Sequence, residues 1–133
     1  MPALPWKEFA KADEDAEYLV MASFLPLRRF GATLRFFRFV QAIRRQLATA
    51  EGLIGYSLWA KPIAKRYWTL SVWRDEAALM TFVRAQPHGA IMARLRPDMD
   101  PTRFVRWTVK GSETRVSWDE ALRRLEEARP ATP

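Results

Sequence analysis

The side chain best suited to moving a proton in this chain is its single histidine, His88. It stands in "QPHGAIMARL" with Ile91, Met92 and Leu95 at i+3, i+4 and i+7, one inward stripe of a helix. An imidazole among apolar neighbours tends to stay neutral, with one nitrogen able to accept a proton and the other to donate one. Aromatic side chains are abundant, 6 Trp, 3 Tyr and 8 Phe in 133 residues, and rings of that size fill cores, interfaces or ligand walls. Trp73, Trp59 and Trp107, with the small hydroxyl residues Ser23, Ser57 and Ser71, are the candidates for an aromatic pocket beside His88. The competing roles are structural: a hydrogen-bonded histidine at a helix start, and tryptophans that only pack. Arg28 and Arg29 either pin an anionic group or belong to a solvated loop.

Several chemistries are excluded at once. The chain has no cysteine, so it has neither disulfides nor thiolate metal ligands, and one histidine cannot build a multi-histidine site within one chain. The longest apolar stretch, "YLVMASFLPL", is about half of the roughly 20 residues needed to span a bilayer, so no stable membrane insertion is expected. The N-terminus lacks the basic start and apolar core of a signal peptide. A cytoplasmic protein is the expectation. The net charge of +7 could draw nucleic acid or an anionic membrane surface. The arginines are scattered over every element, however, so no nucleic-acid partner is expected.

The elements that must position these residues follow from hydrophobic period. "EYLVMASFLPL" reads as a strand over residues 18–25, stopped by Pro26. "TLRFFRFVQAIRRQLATA" reads as an amphipathic helix with an apolar stripe at Leu34, Phe37, Val40 and Leu47 and a solvated face at Arg35, Arg38 and Arg45, closed by Gly52. "LIGYSLWA" and "YWTLSVW" form a hairpin across "KPIAKR". Asp75 caps a helix over 77–85, Pro87 breaks or restarts it, and it resumes to about Leu95. Residues 102–110 give a fourth strand, and Ser117 with Glu120 has capping-box spacing for a last helix. The order βαββαβ plus a C-terminal helix is the ferredoxin-like, α+β pattern. The expected division is an acidic N-terminal extension over 1–17, the domain over 18–110, and a C-terminal helix and tail over 111–133.

Both faces of these strands are apolar. Tyr18, Val20, Ala22 and Phe24 share one face of the first strand, and Leu19, Met21 and Leu25 the other. Two helices cover one face of a four-stranded sheet, so the second needs another cover. A second copy is favoured, giving a homodimer with sheets face to face; the alternative is the C-terminal helix.

The element order over 18–110, the strand end "LSVWRDEAAL" and the "QPH" of the second helix resemble the dimeric α+β barrel proteins similar to antibiotic-biosynthesis monooxygenases, and within them a branch similar to spheroidene monooxygenase. The resemblance implies a ligand between helices and sheet, and a cofactor-independent monooxygenase acting on an aromatic or polyene molecule. His88 would be its acid/base, with Trp73, Trp107, Trp59, Met92 and Phe82 holding the substrate. No cofactor is then required. Haem is the alternative, weakened because Phe82 or Val83 stands where similar proteins often place a histidine and because the chain contains no asparagine. A third reading is a non-catalytic binder of an apolar small molecule.

Overall fold

The computed structural model describes residues 5–86 and 88–128. Five strands, β1 (Lys7–Glu8), β2 (Glu17–Pro26), β3 (Leu53–Lys61), β4 (Arg66–Trp73) and β5 (Arg103–Lys110), form one antiparallel sheet in the order β1-β3-β4-β2-β5. The last four strands with α1 (Thr33–Leu47), α2 (Glu76–Arg84) and α3 (His88–Leu95) give the expected ferredoxin-like arrangement, and α4 (Trp118–Glu127) follows β5. The exposed two-residue β1, which the sequence reading left inside the N-terminal extension, pairs with β3 through Lys7 and Glu8.

Local chemistry sets the helix boundaries. The Asp75 carboxylate accepts the Ala78 amide at 2.8 Å and the Ser117 hydroxyl accepts that of Glu120 at 3.1 Å, so both expected N-caps satisfy an otherwise orphaned donor. Gly52, at φ +84, makes the turn from α1 into β3. Pro87 lies outside the described residues; α2 ends at Arg84 and α3 begins at His88.

Period-two alternation sorts the strand side chains onto two faces. Leu19, Met21, Ser23 and Leu25 of β2 turn toward α1, α2 and α3, as do Tyr67, Thr69, Ser71 and Trp73 of β4, which are their register partners. Under those helices the packing divides into two clusters, one around Leu27, Phe36, Tyr67, Ile91 and Leu95 and one around Leu53, Trp73, Leu79 and Phe82. On α1 the inward stripe is Phe36, Val40, Ile43 and Leu47. Leu34 and Phe37, expected on it, are exposed. The helix is apolar at so many positions that two adjacent stripes fit its period, and the sheet selects the second.

The other face carries Val20, Ala22, Leu70 and Val72, at most 1% exposed, packed against Ala121 and Leu125 of α4. Helix α4 lies over β2 and β5, where the Arg124 guanidinium sits 4.5 Å from the centre of the Trp107 ring. The C-terminal helix therefore covers this part of the sheet from within the chain. Toward β3 the face ends in a row of rings: Phe24 against Trp68, Trp68 against Trp59, and Trp59 edge-on to Trp118.

Candidate active site

Between the two packed clusters a cavity of about 510 Å³ separates the helices from the sheet. Its floor includes Met21, Ser23, Thr69, Ser71 and Trp73, and its walls are built by Phe36, Val40 and Ile43 of α1, Leu79 and Phe82 of α2, and His88 and Met92 of α3. Among the described residues no carboxylate lines it. Arg44 is the one lining arginine among the described residues, and its Nε donates to the Tyr56 hydroxyl at 3.1 Å.

His88 sits at the first turn of α3, where two contacts fix it. Its backbone N–H donates to Oε1 of Gln46 at 3.0 Å, and Nδ1 lies 3.0 Å from the carbonyl oxygen of Val83. A carbonyl oxygen only accepts, so Nδ1 carries the proton and Nε2 holds the lone pair. Among the described residues Nε2 makes no hydrogen bond. Burial among apolar neighbours pushes the imidazole pKa below its ordinary value, and the Val83 carbonyl opposes that only in part. The ring is neutral at pH 7, with Phe82 beside it at 5.1 Å between centroids.

The expected substrate-holding residues divide. Trp73 is fully buried on the floor, its Nε1 donating to the Ser71 hydroxyl at 2.9 Å and its ring 5.2 Å from that of Phe82. Phe82 and Met92 line the cavity beside His88. Trp59 is a correction: it pairs with Trp68 two residues from Ser57 and its ring packs on Trp68 and on Trp118 of α4, so although it reaches the cavity edge its ring lies on the α4 side of the sheet. Trp107 is the second correction: it pairs with Val20, whose side chain faces α4, so alternation puts its ring on the opposite side of the sheet from His88. Of the small hydroxyl residues, Ser23 and Ser71 line the cavity, with Ser23 hydrogen-bonded to Thr69, whereas Ser57 accepts from Trp118 on the α4 side.

Gln46, which the sequence reading did not single out, joins the two helices that meet at the site. Its Nε2 donates to the Phe82 carbonyl at 3.1 Å while its Oε1 takes the His88 amide, so one side chain serves the end of α2 and the start of α3. A polar residue in an amphipathic helix gives no signal of this, because its partners are 36 and 42 residues away. Arg28 and Arg29 are outside the cavity lining and pair with Asp100 and Asp98. Asp98 is held below the usual carboxylate range, chiefly by its hydrogen bond from Arg29.

A ferredoxin-like α+β protein with an apolar cavity between helices and sheet is the class these features define. Residues 31–94 match the sequence model of a family described as antibiotic biosynthesis monooxygenase, which bears out the likeness to antibiotic-biosynthesis monooxygenases drawn from the sequence. The chain shares its fold with SnoaB, a cofactor-independent oxygenase from Streptomyces nogalater, at 14% identity over 71% of this chain and 95% of that one, with a TM-score of 0.59. A conserved protein from Methanosarcina mazei is similar at 16% identity over 68% of this chain and 90% of that one, with a TM-score of 0.61. An antibiotic biosynthesis monooxygenase superimposes with the same TM-score of 0.61, at 11% identity over 67% of this chain and 95% of that one. No curated protein matches the sequence.

Proposed function

We propose that the protein is a cofactor-independent monooxygenase that oxidises an aromatic or polyene small molecule in the cavity beside His88. The observation that carries this reading is an imidazole whose Nδ1 is held by the Val83 carbonyl, leaving Nε2 in an apolar cavity that no carboxylate lines among the described residues; burial there lowers its pKa and favours the neutral ring. Such a base can take a proton from an activated C–H or O–H of the substrate, and the electron-rich anion then reacts with dioxygen directly. One oxygen atom enters the product and the other leaves as water with two hydrogens drawn from the substrate. Trp73, Phe82 and Met92 hold the substrate over the sheet; Trp59 and Trp107, whose rings lie on the α4 side, have no part in binding.

The test is oxygen uptake by the purified protein with electron-rich aromatic and polyene compounds, compared with His88→Ala. Turnover in the wild type that is lost in a folded His88→Ala variant supports the reading. Visible absorption bands in the protein as purified would replace it with a haem or flavin reading, and tight binding without oxygen uptake would leave a non-catalytic binder. The same proposal includes a homodimer, in which a second copy seats on the ring row Phe24, Trp68 and Trp59 that lies beside α4. A solution mass of one 15.5 kDa chain at micromolar concentration would retire the dimer. It also includes a cytoplasmic location, tested by imaging a fluorescent fusion.

A further inference from the structure

The end of the sheet where β3 turns into β4 carries a surface that the core does not use. Ile63, at the hairpin tip, is 85% exposed, and Leu34, in the first turn of α1, is 69% exposed. Their elements meet at this end. Phe37 of α1 stands edge-on to Tyr67 of β4 at 6.0 Å, and Lys65 of the hairpin accepts the Leu27 amide at 2.8 Å and donates to the Arg28 carbonyl at 3.4 Å.

The charge here is one-sided. Arg38, Lys61, Lys65, Arg66 and Arg103 have no carboxylate partner among the described residues, although Lys61 stands over the Trp59 and Trp68 rings and Arg103 over that of Phe24. The nearby Asp98 and Asp100 are already held by Arg28, Arg29 and Arg35. The cavity lining also surfaces on this side, because Phe37 and Phe104 both line it and are 38% and 45% exposed.

We infer that this end of the protein docks reversibly on an anionic lipid bilayer, with Ile63 and Leu34 entering the headgroup region and Arg38, Lys65 and Arg66, which have no carboxylate partner among the described residues, facing lipid phosphates. Exposed aliphatic groups ringed by cations are the composition of an interfacial anchor. Each Lys or Arg brought to an anionic surface strengthens binding by about fivefold. A nucleic acid would use the cations but gain nothing from Ile63 and Leu34, which neither stack on bases nor hydrogen-bond to them. Docking in this orientation turns the cavity's surface-reaching residues toward the membrane, so that an apolar molecule dissolved in the bilayer has a short path to it. No helix of the described residues is long and apolar enough to cross a membrane, in keeping with a surface mode of binding.

The experiment is co-sedimentation of the full chain with vesicles of phosphatidylcholine alone or with about 30 mol% phosphatidylglycerol, at low salt and at about 0.5 M salt. The expected result is pelleting with the anionic vesicles, falling by about tenfold or more in the neutral vesicles, in high salt and in the double variant Ile63→Glu, Leu34→Glu. Both positions are exposed, so the variant should keep the wild-type melting temperature; if it does not, Arg38→Glu with Arg66→Glu makes the same test through charge alone. Failure of the wild type to pellet with anionic vesicles overturns the inference. So does undiminished pelleting of the folded variants, tighter binding to mixed-sequence DNA or RNA than to the vesicles, or a self-association that the Ile63→Glu change abolishes while the wild type ignores lipid.

Discussion

The imidazole of His88 is tied to the carbonyl of Val83, 3.0 Å away across the break between α2 and α3, and this one contact decides which ring nitrogen is available for chemistry. The Nδ1–H tautomer is the expected state, with the lone pair on Nε2. Because the chain has a single histidine, ring-nitrogen NMR reads it without assignment. The expected spectrum is that of a neutral Nδ1–H ring with a pKa below 6.5. An Nε2–H ring, or a pKa at or above that value, would contradict the site as described.

The same depressed pKa makes a stability prediction with a definite sign. Above the unfolded-state pKa of about 6.5 the ring is neutral in both states and costs nothing. As pH falls below that point the unfolded chain takes up a proton that the buried ring refuses, so the unfolded state is favoured until the folded pKa is passed. Thermal stability should therefore fall as pH is lowered from about 6.5. The extra loss should vanish in His88→Phe, measured by melting curves at matched ionic strength. A parallel pH dependence in the two proteins would show that His88 is not the group responsible.

Gln46 should matter although it never touches the proton-accepting nitrogen. Gln46→Ala leaves the His88 amide and the Phe82 carbonyl without their side-chain partner. An orphaned buried polar group costs about 1–3 kcal/mol. The variant is expected to lose stability on that order and to shift the His88 ring signal, since the start of α3 is no longer held against α1. Gln46→Glu should keep the contact to His88 and lose the one to Phe82, because a carboxylate can accept but not donate. Wild-type stability in Gln46→Ala would remove the residue from the account.

Much of the fold was legible because the strands and caps are local. Asp75 and Ser117 were identifiable as N-caps from residue type and position alone, and both make the expected bond. What depended on register was not legible. The side of the sheet taken by Trp107 follows from its pairing with Val20, and the choice between Leu34 and Phe36 as the inward residue of α1 follows from where the helix meets β4. The site shows the same division. His88 and Met92 share a helix stripe and were found together, and Trp73 and Phe82 were drawn in by sequence likeness. Arg44 and Tyr56 are neighbours only in space.

The separation of Trp107 from the cavity gives a paired test of ligand binding. Trp107→Phe keeps a ring under α4 and should leave the affinity of an apolar fluorescent ligand for the cavity unchanged within about twofold, since the site lies across the sheet. Met92→Ala removes lining atoms next to His88. Losing contact with two or three buried methylene-sized groups should weaken the same ligand by about tenfold or more. An equal loss in the two variants would mean that the ligand sits elsewhere.

The part played by α4 can be tested through the face it covers. Ala121 and Leu125 are buried against Val20, Ala22 and Val72, while Trp118 donates from Nε1 to the Ser57 hydroxyl at 3.1 Å. Leu125→Ala should cost about 2–5 kcal/mol, as for other buried leucines truncated in a packed core. Deleting residues 112–133 removes the helix altogether and lays bare a sheet face whose central residues are at most 1% exposed in the intact chain. A patch of that character drives association. The truncated chain is therefore expected to aggregate or to pair through the uncovered sheet, seen as a rise in mass by light scattering. The point mutant should unfold at lower temperature with no such rise before melting. If the truncated chain kept the mass in solution and the melting temperature of the intact chain, the contacts between α4 and the sheet would be making no contribution to stability, and the covering of this face would have to come from another element.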